Sequence, residues 1–199
     1  PFNLEIMVLS MYKVYPKIIL ACLLLVMTGT VYSQRVTQTI NDGWKFSLFE
    51  GDASTADFDI SGWTDVSIPH TWNAKDADDE ISGYFRGKGW YRKVVAVEEL
   101  IPEQRVYLSF EGANQETNVF VNGTFVGNHK GGYSAFTFDV TDYVHAGRNL
   151  IAVSVDNSHN PDIAPLSADF TFFGGIYRDV YLVYTSPVQL STTHYASSG

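Results

Sequence analysis

Cysteine, basic residues and long apolar runs are all scarce in this chain of 199 residues. The one cysteine, Cys22, lies in an apolar leader, so the rest of the chain has no disulfide and must be held together by packing. Lysine and arginine number 13 against 22 aspartates and glutamates, the formal net charge is -9, and the cations form no cluster. Because phosphate binding requires clustered Lys and Arg, this pattern excludes a nucleic-acid partner.

The leader has the three parts of a secretory signal peptide. Lys13 and Lys17 form its positive flank, residues 18–27 form its apolar core, and Val31-Tyr-Ser33 forms a cleavage site. We therefore predict that residues 1–33 comprise upstream residues and a signal peptide cleaved after Ser33. The predicted location of the protein is periplasmic or secreted.

Two other interpretations of the leader are less favourable. A transmembrane anchor needs roughly 20 apolar residues, and the apolar core of the leader is much shorter. A lipoprotein signal ending at Cys22 would need a small residue where the bulky Leu20 stands. Cleavage of a signal peptide remains the preferred interpretation.

Alternating apolar and polar residues after the leader predict β-strands, and no long amphipathic helix is apparent. Val106, Leu108 and Phe110 alternate with polar residues, which assigns one face to a core and the other to water. An apolar content of 45%, with 15% aromatic residues, is sufficient to fill such a core. Many short strands without a repeat period favour an all-β, antiparallel jelly-roll sandwich.

The pair Asn122-Gly123 predicts a tight β-hairpin. Both residues tolerate the positive φ angles of a type I′ turn, and strand-like segments flank them. The same Asn122 begins a glycosylation sequon, Asn122-Gly-Thr124, but the turn chemistry favours the hairpin.

Three loops are rich enough in polar and aromatic residues to carry a function. They span residues 73–89, 128–134 and 157–175. The first loop offers carboxylates and aromatic rings typical of a sugar-binding rim, although a solvated acidic loop explains the same composition equally well. No EF-hand order is present, so no metal is expected. The predicted rim residues are Asp79, Glu80, Tyr84 and Arg86.

Seven short motifs together resemble the sugar-binding domain that opens family 2 glycoside hydrolases, across residues 40–184. They are Trp44-Lys-Phe46, Ile68-Pro-His-Thr-Trp72, Trp90-Tyr-Arg-Lys93, Phe110-Glu-Gly-Ala113, Val119-Phe-Val-Asn-Gly123, Gly132-Tyr-Ser134 and Gly174-Gly-Ile-Tyr-Arg-Asp179. The resemblance implies a galactose-binding-like jelly roll over residues 34–186. Residues 187–199 are then expected to begin a following domain, which has an immunoglobulin-like fold in such enzymes.

The resemblance also implies which residues bind sugar. In the β-galactosidases of this family, an Asn before a Gly-x-Tyr-Ser turn and an Asp before the Gly-Ile-Tyr/Phe-Arg-Asp run contact galactose; these positions correspond to Asn128 and Asp169. Each has a structural alternative, Asp169 capping a turn and Asn128 holding its loop. The family hydrolyses glycosides with two glutamates of a later barrel domain, so no catalytic residue and no cofactor are expected in this chain.

The expected partners are a β-galactoside or related glycan, downstream immunoglobulin-like and barrel domains, and a second copy in a homo-oligomer. A β-galactosidase is the preferred enzyme, while a β-glucuronidase or β-mannosidase stays open. Two alternatives are a standalone carbohydrate-binding module and a structural β domain for subunit contacts. The strand-like segment after Pro187 argues against the standalone module.

Overall fold

The computed structural model describes residues 35–76, 83–165, 171–187 and 189. The predicted leader, the rim residues Asp79 and Glu80, and the predicted sugar ligand Asp169 lie outside the described residues. In the described part no helix is long and apolar enough to cross a membrane.

The described residues form ten strands and one short 3-10 turn, Thr141–Tyr143. The strands are β1 (Arg35–Thr39), β2 (Trp44–Leu48), β3 (Thr64–Val66), β4 (Lys88–Val97), β5 (Arg105–Phe110), β6 (Glu116–Val121), β7 (Thr124–Lys130), β8 (Phe136–Asp139), β9 (Gly147–Asp156) and β10 (Val180–Thr185). A four-stranded sheet has the order β1-β10-β5-β8, and a six-stranded sheet has the order β3-β2-β4-β9-β6-β7. Every pairing is antiparallel. The all-β antiparallel fold expected from the sequence is confirmed.

The main core lies between the two sheets. Val106, Leu108 and Phe110 of β5 are completely buried, as the alternating pattern predicts. Phe110 stacks on Phe136 of β8 with ring centroids 4.8 Å apart. The prediction for the other face of β5 is wrong at Tyr107, which is only 7% exposed. The chain after β10 returns to this face, where the amide of Gln189 donates a hydrogen bond to the Tyr107 hydroxyl.

A second apolar cluster lies on the outer face of the six-stranded sheet. Trp90 and Ala152 are buried there against Ala53, which belongs to the connection between β2 and β3. The Trp90 indole donates to the Gly51 carbonyl at 3.0 Å, and Arg92 donates to the Ala53 carbonyl at 2.9 Å. These bonds hold the connection over the sheet, so part of its outer face is shielded from water.

The predicted hairpin joins β6 and β7. Asn122 has φ 51° and Gly123 has φ 81°, as a type I′ turn requires. The Asn122 side chain donates to the Tyr143 carbonyl and to Asn149 Oδ1, each at 2.9 Å, and accepts from the Leu150 amide at 2.9 Å. The turn interpretation is therefore confirmed, and the Asn122 side chain is used to fix the hairpin.

Candidate functional site

A pocket opens at one end of the four-stranded sheet. Phe110 pairs with both Phe136 and Val180, so the end of β5 and the starts of β8 and β10 lie together. The connections next to these strand ends therefore meet at the same end. They enclose a pocket of about 290 Å³. Its lining residues are Thr71, Asn114, Tyr133, Thr171, Phe173 and Tyr177.

Asn114 forms the polar part of the pocket wall. Its backbone exchanges hydrogen bonds with that of Gly175 at 3.0 and 3.3 Å, and its side-chain amide donates to the Phe173 carbonyl at 2.9 Å. Gly132 packs so closely that a Cβ there would lie 2.1 Å from Asn114 Oδ1. The absence of a side chain at Gly132 is therefore what lets this connection approach Asn114.

Two tyrosines supply ring faces and hydroxyls to the pocket. Tyr177 donates its hydroxyl proton to the Gly132 carbonyl, and burial raises the pKa of its phenol. Tyr133 is 51% exposed, and its phenol pKa is raised by desolvation and by the nearby phenols of Tyr177 and Tyr84. Both phenols are thus neutral at physiological pH. The Tyr133 hydroxyl can donate to a ligand, whereas the Tyr177 hydroxyl, whose proton goes to Gly132, can accept from one. Aromatic faces combined with a few fixed polar groups are suited to binding a sugar ring.

Two of the predicted rim residues, Tyr84 and Arg86, lie beside this pocket. The Arg86 guanidinium donates to the Tyr84 hydroxyl and lies 4.8 Å from the Tyr84 ring centroid. It also lies 5.1 Å from the ring centroid of Phe172, whose chain neighbours Thr171 and Phe173 line the pocket. No ion pair joins Arg86 to a carboxylate among the described residues.

Of the two predicted sugar ligands, the structure describes Asn128 but not Asp169. Asp169 is outside the described residues, two positions before the pocket residue Thr171. Asn128 does not line the pocket. The prediction that it belongs to a loop is wrong, because it pairs with Asn118 inside β7. Its amide donates to Asn118 Oδ1 at 2.8 Å and to Glu116 Oε1 at 3.2 Å. The side chain lies exposed on the surface of the sheet.

The motif residues behind the pocket have a structural role. His70 Nδ1 lies 2.8 Å from the hydroxyl of the fully buried Tyr91, and burial lowers the pKa of His70. Gly175 has φ 116°, and a Cβ there would lie 2.6 Å from the His70 carbonyl oxygen. Asp179 accepts a hydrogen bond from Asn41 at 2.9 Å, which ties β10 to the loop after β1. These residues hold the pocket segments against the sandwich.

The described residues contain no group of three or more His, Cys, Asp or Glu placed to hold a metal ion. Two glutamates of the connection between β5 and β6 and of β6 itself have structural partners: Glu111 accepts from the Tyr181 hydroxyl at 3.2 Å, and Glu116 pairs with Lys130 at 3.7 Å.

Sequence reasoning missed most of the pocket lining. Asn114 and Tyr177 stand inside or next to recognised motifs, but neither was predicted to line a pocket. Their role depends on the contact between Asn114 and Gly175, which are far apart in the sequence. The one available signal was the pair of glycines at 174–175, which indicates a close approach of two backbones.

The comparisons with known proteins agree on the family. A family described as "Glycosyl hydrolases family 2, sugar binding domain" matches residues 37–187. The chain is 38% identical over 180 residues to a beta-glucuronidase of Bacteroides fragilis, a match covering 88% of this chain and 24% of the relative. It is 40% identical over 151 residues to a beta-galactosidase of Thermoanaerobacter pseudethanolicus, covering 74% of this chain and 19% of the relative.

A solved structure gives the same result. Bacteroides uniformis beta-glucuronidase 2, covalently bound to cyclophellitol-6-carboxylate aziridine, has a TM-score of 0.77 and 44% identity to this chain. That match covers 83% of this chain and 20% of the other. The chain thus spans a quarter or less of the length of the relatives it matches.

Proposed function

Because the chain belongs to the family of sugar-binding domains of family 2 glycosyl hydrolases, we propose that it forms one wall of the substrate pocket of a larger, exported β-glycosidase. The catalytic carboxylates belong to a downstream barrel domain, reached through an immunoglobulin-like domain. Those carboxylates perform retaining hydrolysis, and this chain holds the sugar in position for them.

The observation that carries the proposal is the pocket between Asn114, Tyr133, Phe173 and Tyr177. Its volume of about 290 Å³ is near the lower end for small-molecule sites, which suits a single sugar ring. The rings stack on the apolar faces of a sugar, while hydroxyls and amides bind its hydroxyl groups. Asp169, two residues before Thr171 in the sequence, is the proposed carboxylate acceptor.

A β-glucuronide is the first candidate substrate. Relatives named beta-glucuronidase include the structure with 44% identity, whose bound inhibitor carries a carboxylate. Arg86 offers the matching chemistry beside the pocket, since a guanidinium binds a carboxylate with two parallel hydrogen bonds. The guanidinium carbon lies 4.8 and 5.1 Å from the ring centroids of Tyr84 and Phe172. One of its nitrogens donates to the Tyr84 hydroxyl, out of the five N–H donors that a guanidinium has.

A β-galactoside, preferred from the sequence, is the second candidate. The relative with 40% identity is named beta-galactosidase, and the position of Asp169 matches the galactose-binding pattern. Neither name transfers to this chain without a test.

The test measures hydrolysis of p-nitrophenyl β-glucuronide and p-nitrophenyl β-galactoside by the full-length protein that carries this chain. We expect activity on the glucuronide, and Arg86→Gln should lower kcat/KM for it by about tenfold, equivalent to ~1.4 kcal/mol. An enzyme with activity on the galactoside alone would favour the second candidate. Activity on neither substrate would contradict the proposed function.

Tyr133→Ala tests the pocket itself, with Phe125→Ala as a matched control. Both side chains are 51% exposed, but Phe125 lies on β7 next to the hairpin and not in the pocket. Loss of the Tyr133 ring and hydroxyl should raise KM by about tenfold, while Phe125→Ala leaves KM unchanged. Equal KM values for the two variants would exclude this pocket as the sugar site.

A further inference from the structure

Two asparagines are buried behind the pocket and face each other. Asn73 and Asn157 are each 1% exposed. The Asn157 side-chain amide donates to Asn73 Oδ1 at 3.3 Å. Neither residue lines the pocket. A buried amide has to be hydrogen bonded, so the other partners of this pair determine what it holds together.

Asn157 joins two segments that border the pocket. Its Oδ1 accepts from the Gly87 backbone amide at 2.9 Å. Its Nδ2 donates to the Phe85 carbonyl at 3.3 Å and to the Phe172 carbonyl at 3.1 Å. A single side chain at the end of β9 thus binds both the segment 83–87 and the segment 171–174.

Asn73 binds the same two segments from the opposite side. Its Oδ1 accepts from the Gly174 amide at 2.6 Å, and its Nδ2 donates to the Phe85 carbonyl at 2.7 Å. Its Nδ2 also donates to Asp76 Oδ2 at 2.6 Å, and the same carboxylate oxygen accepts from the Phe85 amide at 2.8 Å. The Asn73 backbone amide donates to the pocket residue Thr71 at 3.1 Å.

These bonds connect every segment on one side of the pocket. Thr71 lies in the same segment as Asn73 and accepts a hydrogen bond from its backbone amide. Tyr84 and Arg86 lie on either side of Phe85, whose carbonyl both asparagines bind. The segment 171–174 supplies two further lining residues, Thr171 and Phe173. Each of the sheets has its own backbone ladders, so the asparagine pair acts mainly on the connections and not on the sandwich.

We propose that Asn73 and Asn157 are positioning residues that set the geometry of the sugar pocket by locking its three bordering segments to one another. This inference rests on the proposed function of the pocket. The asparagines do not touch the sugar. They act through Thr71, Phe173 and the rim residues Tyr84 and Arg86.

The test variant is Asn157→Asp in the full-length protein. Aspartate has the size of asparagine and keeps the acceptor for the Gly87 amide, but it replaces the donating amide with an oxygen that faces three other oxygens. The ionised form is therefore repelled, whereas the protonated form donates one hydrogen bond again. We expect KM to rise by about tenfold at about pH 8 with kcat within about threefold of the original. The ratio of the KM values should approach one at about pH 5, as the raised pKa of the buried carboxyl allows protonation.

Asn149→Asp is the matched control. Asn149 is also completely buried, and it lies near the start of β9, the strand that Asn157 follows. Its amide donates to the carbonyls of His145 and Gly147 at 2.7 and 3.1 Å, and its Oδ1 accepts from the His145 amide at 2.9 Å. The control should lose a similar amount of stability without any change in KM. Equal KM values for the two variants would overturn the proposal.

Amide hydrogen exchange separates this proposal from the proposed function. In Asn157→Asp the repelled carbonyls are those of Phe85 and Phe172, so the amides of Phe85 and Gly174 in the same segments should exchange at least about tenfold faster, while the β4–β9 ladder keeps its protection. Unchanged exchange at both amides would refute the positioning role whatever the substrate is. Faster exchange with an unchanged KM would refute the positioning role as well. If Tyr133→Ala also left KM unchanged, the result would contradict the assignment of this pocket as the sugar site. Should Asn157→Asp fail to fold, Asn157→Ser, which replaces the amide with one shorter hydroxyl, is measured with the same KM and exchange criteria at a single pH, because serine does not titrate.

Discussion

Gly174→Ala gives a sharp test of how tightly the pocket segment packs on the sandwich. A Cβ at this position would lie 2.1 Å from Trp72 Cζ2 and 2.8 Å from Asn157 Cγ. Carbon atoms in contact prefer separations of about 3.5–4.0 Å, so the chain or its neighbours must move. Trp72 has little freedom to move because its ring stacks on Phe46 with centroids 5.9 Å apart.

The expected cost has two parts. Insertion of a methyl group into a packed site costs about 1–3 kcal/mol. The displaced backbone also weakens the hydrogen bond from the Gly174 amide to Asn73 Oδ1, for about 1 kcal/mol more. A total near 3 kcal/mol corresponds to a fall in Tm of roughly 6–12 °C for a domain of this size.

Urea unfolding followed by tryptophan fluorescence measures this change, with Gly62→Ala as the control. A Cβ at Gly62 meets nothing within 4 Å, so the control should be neutral or stabilising by about 0.4–1 kcal/mol. Equal free energies of unfolding for the two variants would refute the packing argument.

Three further predictions concern the core, the histidines and the hairpin. Phe110→Ala should lower the free energy of unfolding by about 3–5 kcal/mol, whereas Phe125→Ala, which removes a half-exposed ring in edge contact with Phe120, should lower it by only about 0.5–1.5 kcal/mol; similar urea midpoints would contradict this. Burial lowers the pKa of His70 and His129 below 6.5, so the unfolded chain binds more protons just below that pH. The contribution of these histidines to stability is then complete above pH 6.5 and is lost as the pH decreases through the folded pKa values. His70→Gln should reduce the dependence of the free energy of unfolding on pH in this range, and an unchanged dependence would contradict the effect of burial on His70. Gly123→Ala, at φ 81°, should cost about 1 kcal/mol in thermal unfolding, and a stabilised variant would be inconsistent with the type I′ turn.

Features encoded within a few residues were predictable from the sequence. Alternation along β5 identified its buried face, and Asn122-Gly123 identified the turn and its type. The failure at Tyr107 has a tertiary cause, because periodicity assigns the two faces of a strand without indicating that a distant segment covers the outer one.

The pocket was harder to predict because its contacts join distant residues. Asn73 meets Gly174 across 101 positions of the chain, and Asn114 meets Phe173 across 59. No local spacing encodes such pairs. The assignment of Asn128 depended on a short motif around Gly132, and a four-residue pattern does not distinguish a loop from the end of a strand. Its role in sugar binding stays a prediction, as does that of Asp169.

The hydrogen bond from the Phe85 amide to Asp76 Oδ2 has a consequence for sequence variation. It closes the base of the segment between these two residues, so the geometry of the base does not depend on what the segment contains. Doubling the length of a closed loop costs only about 0.6 kcal/mol. Substitutions and insertions between Asp76 and Phe85 can therefore accumulate without disturbing the buried asparagines. In the proposed sugar pocket, exchange of this one segment would alter the rim while the sandwich beneath it keeps its packing.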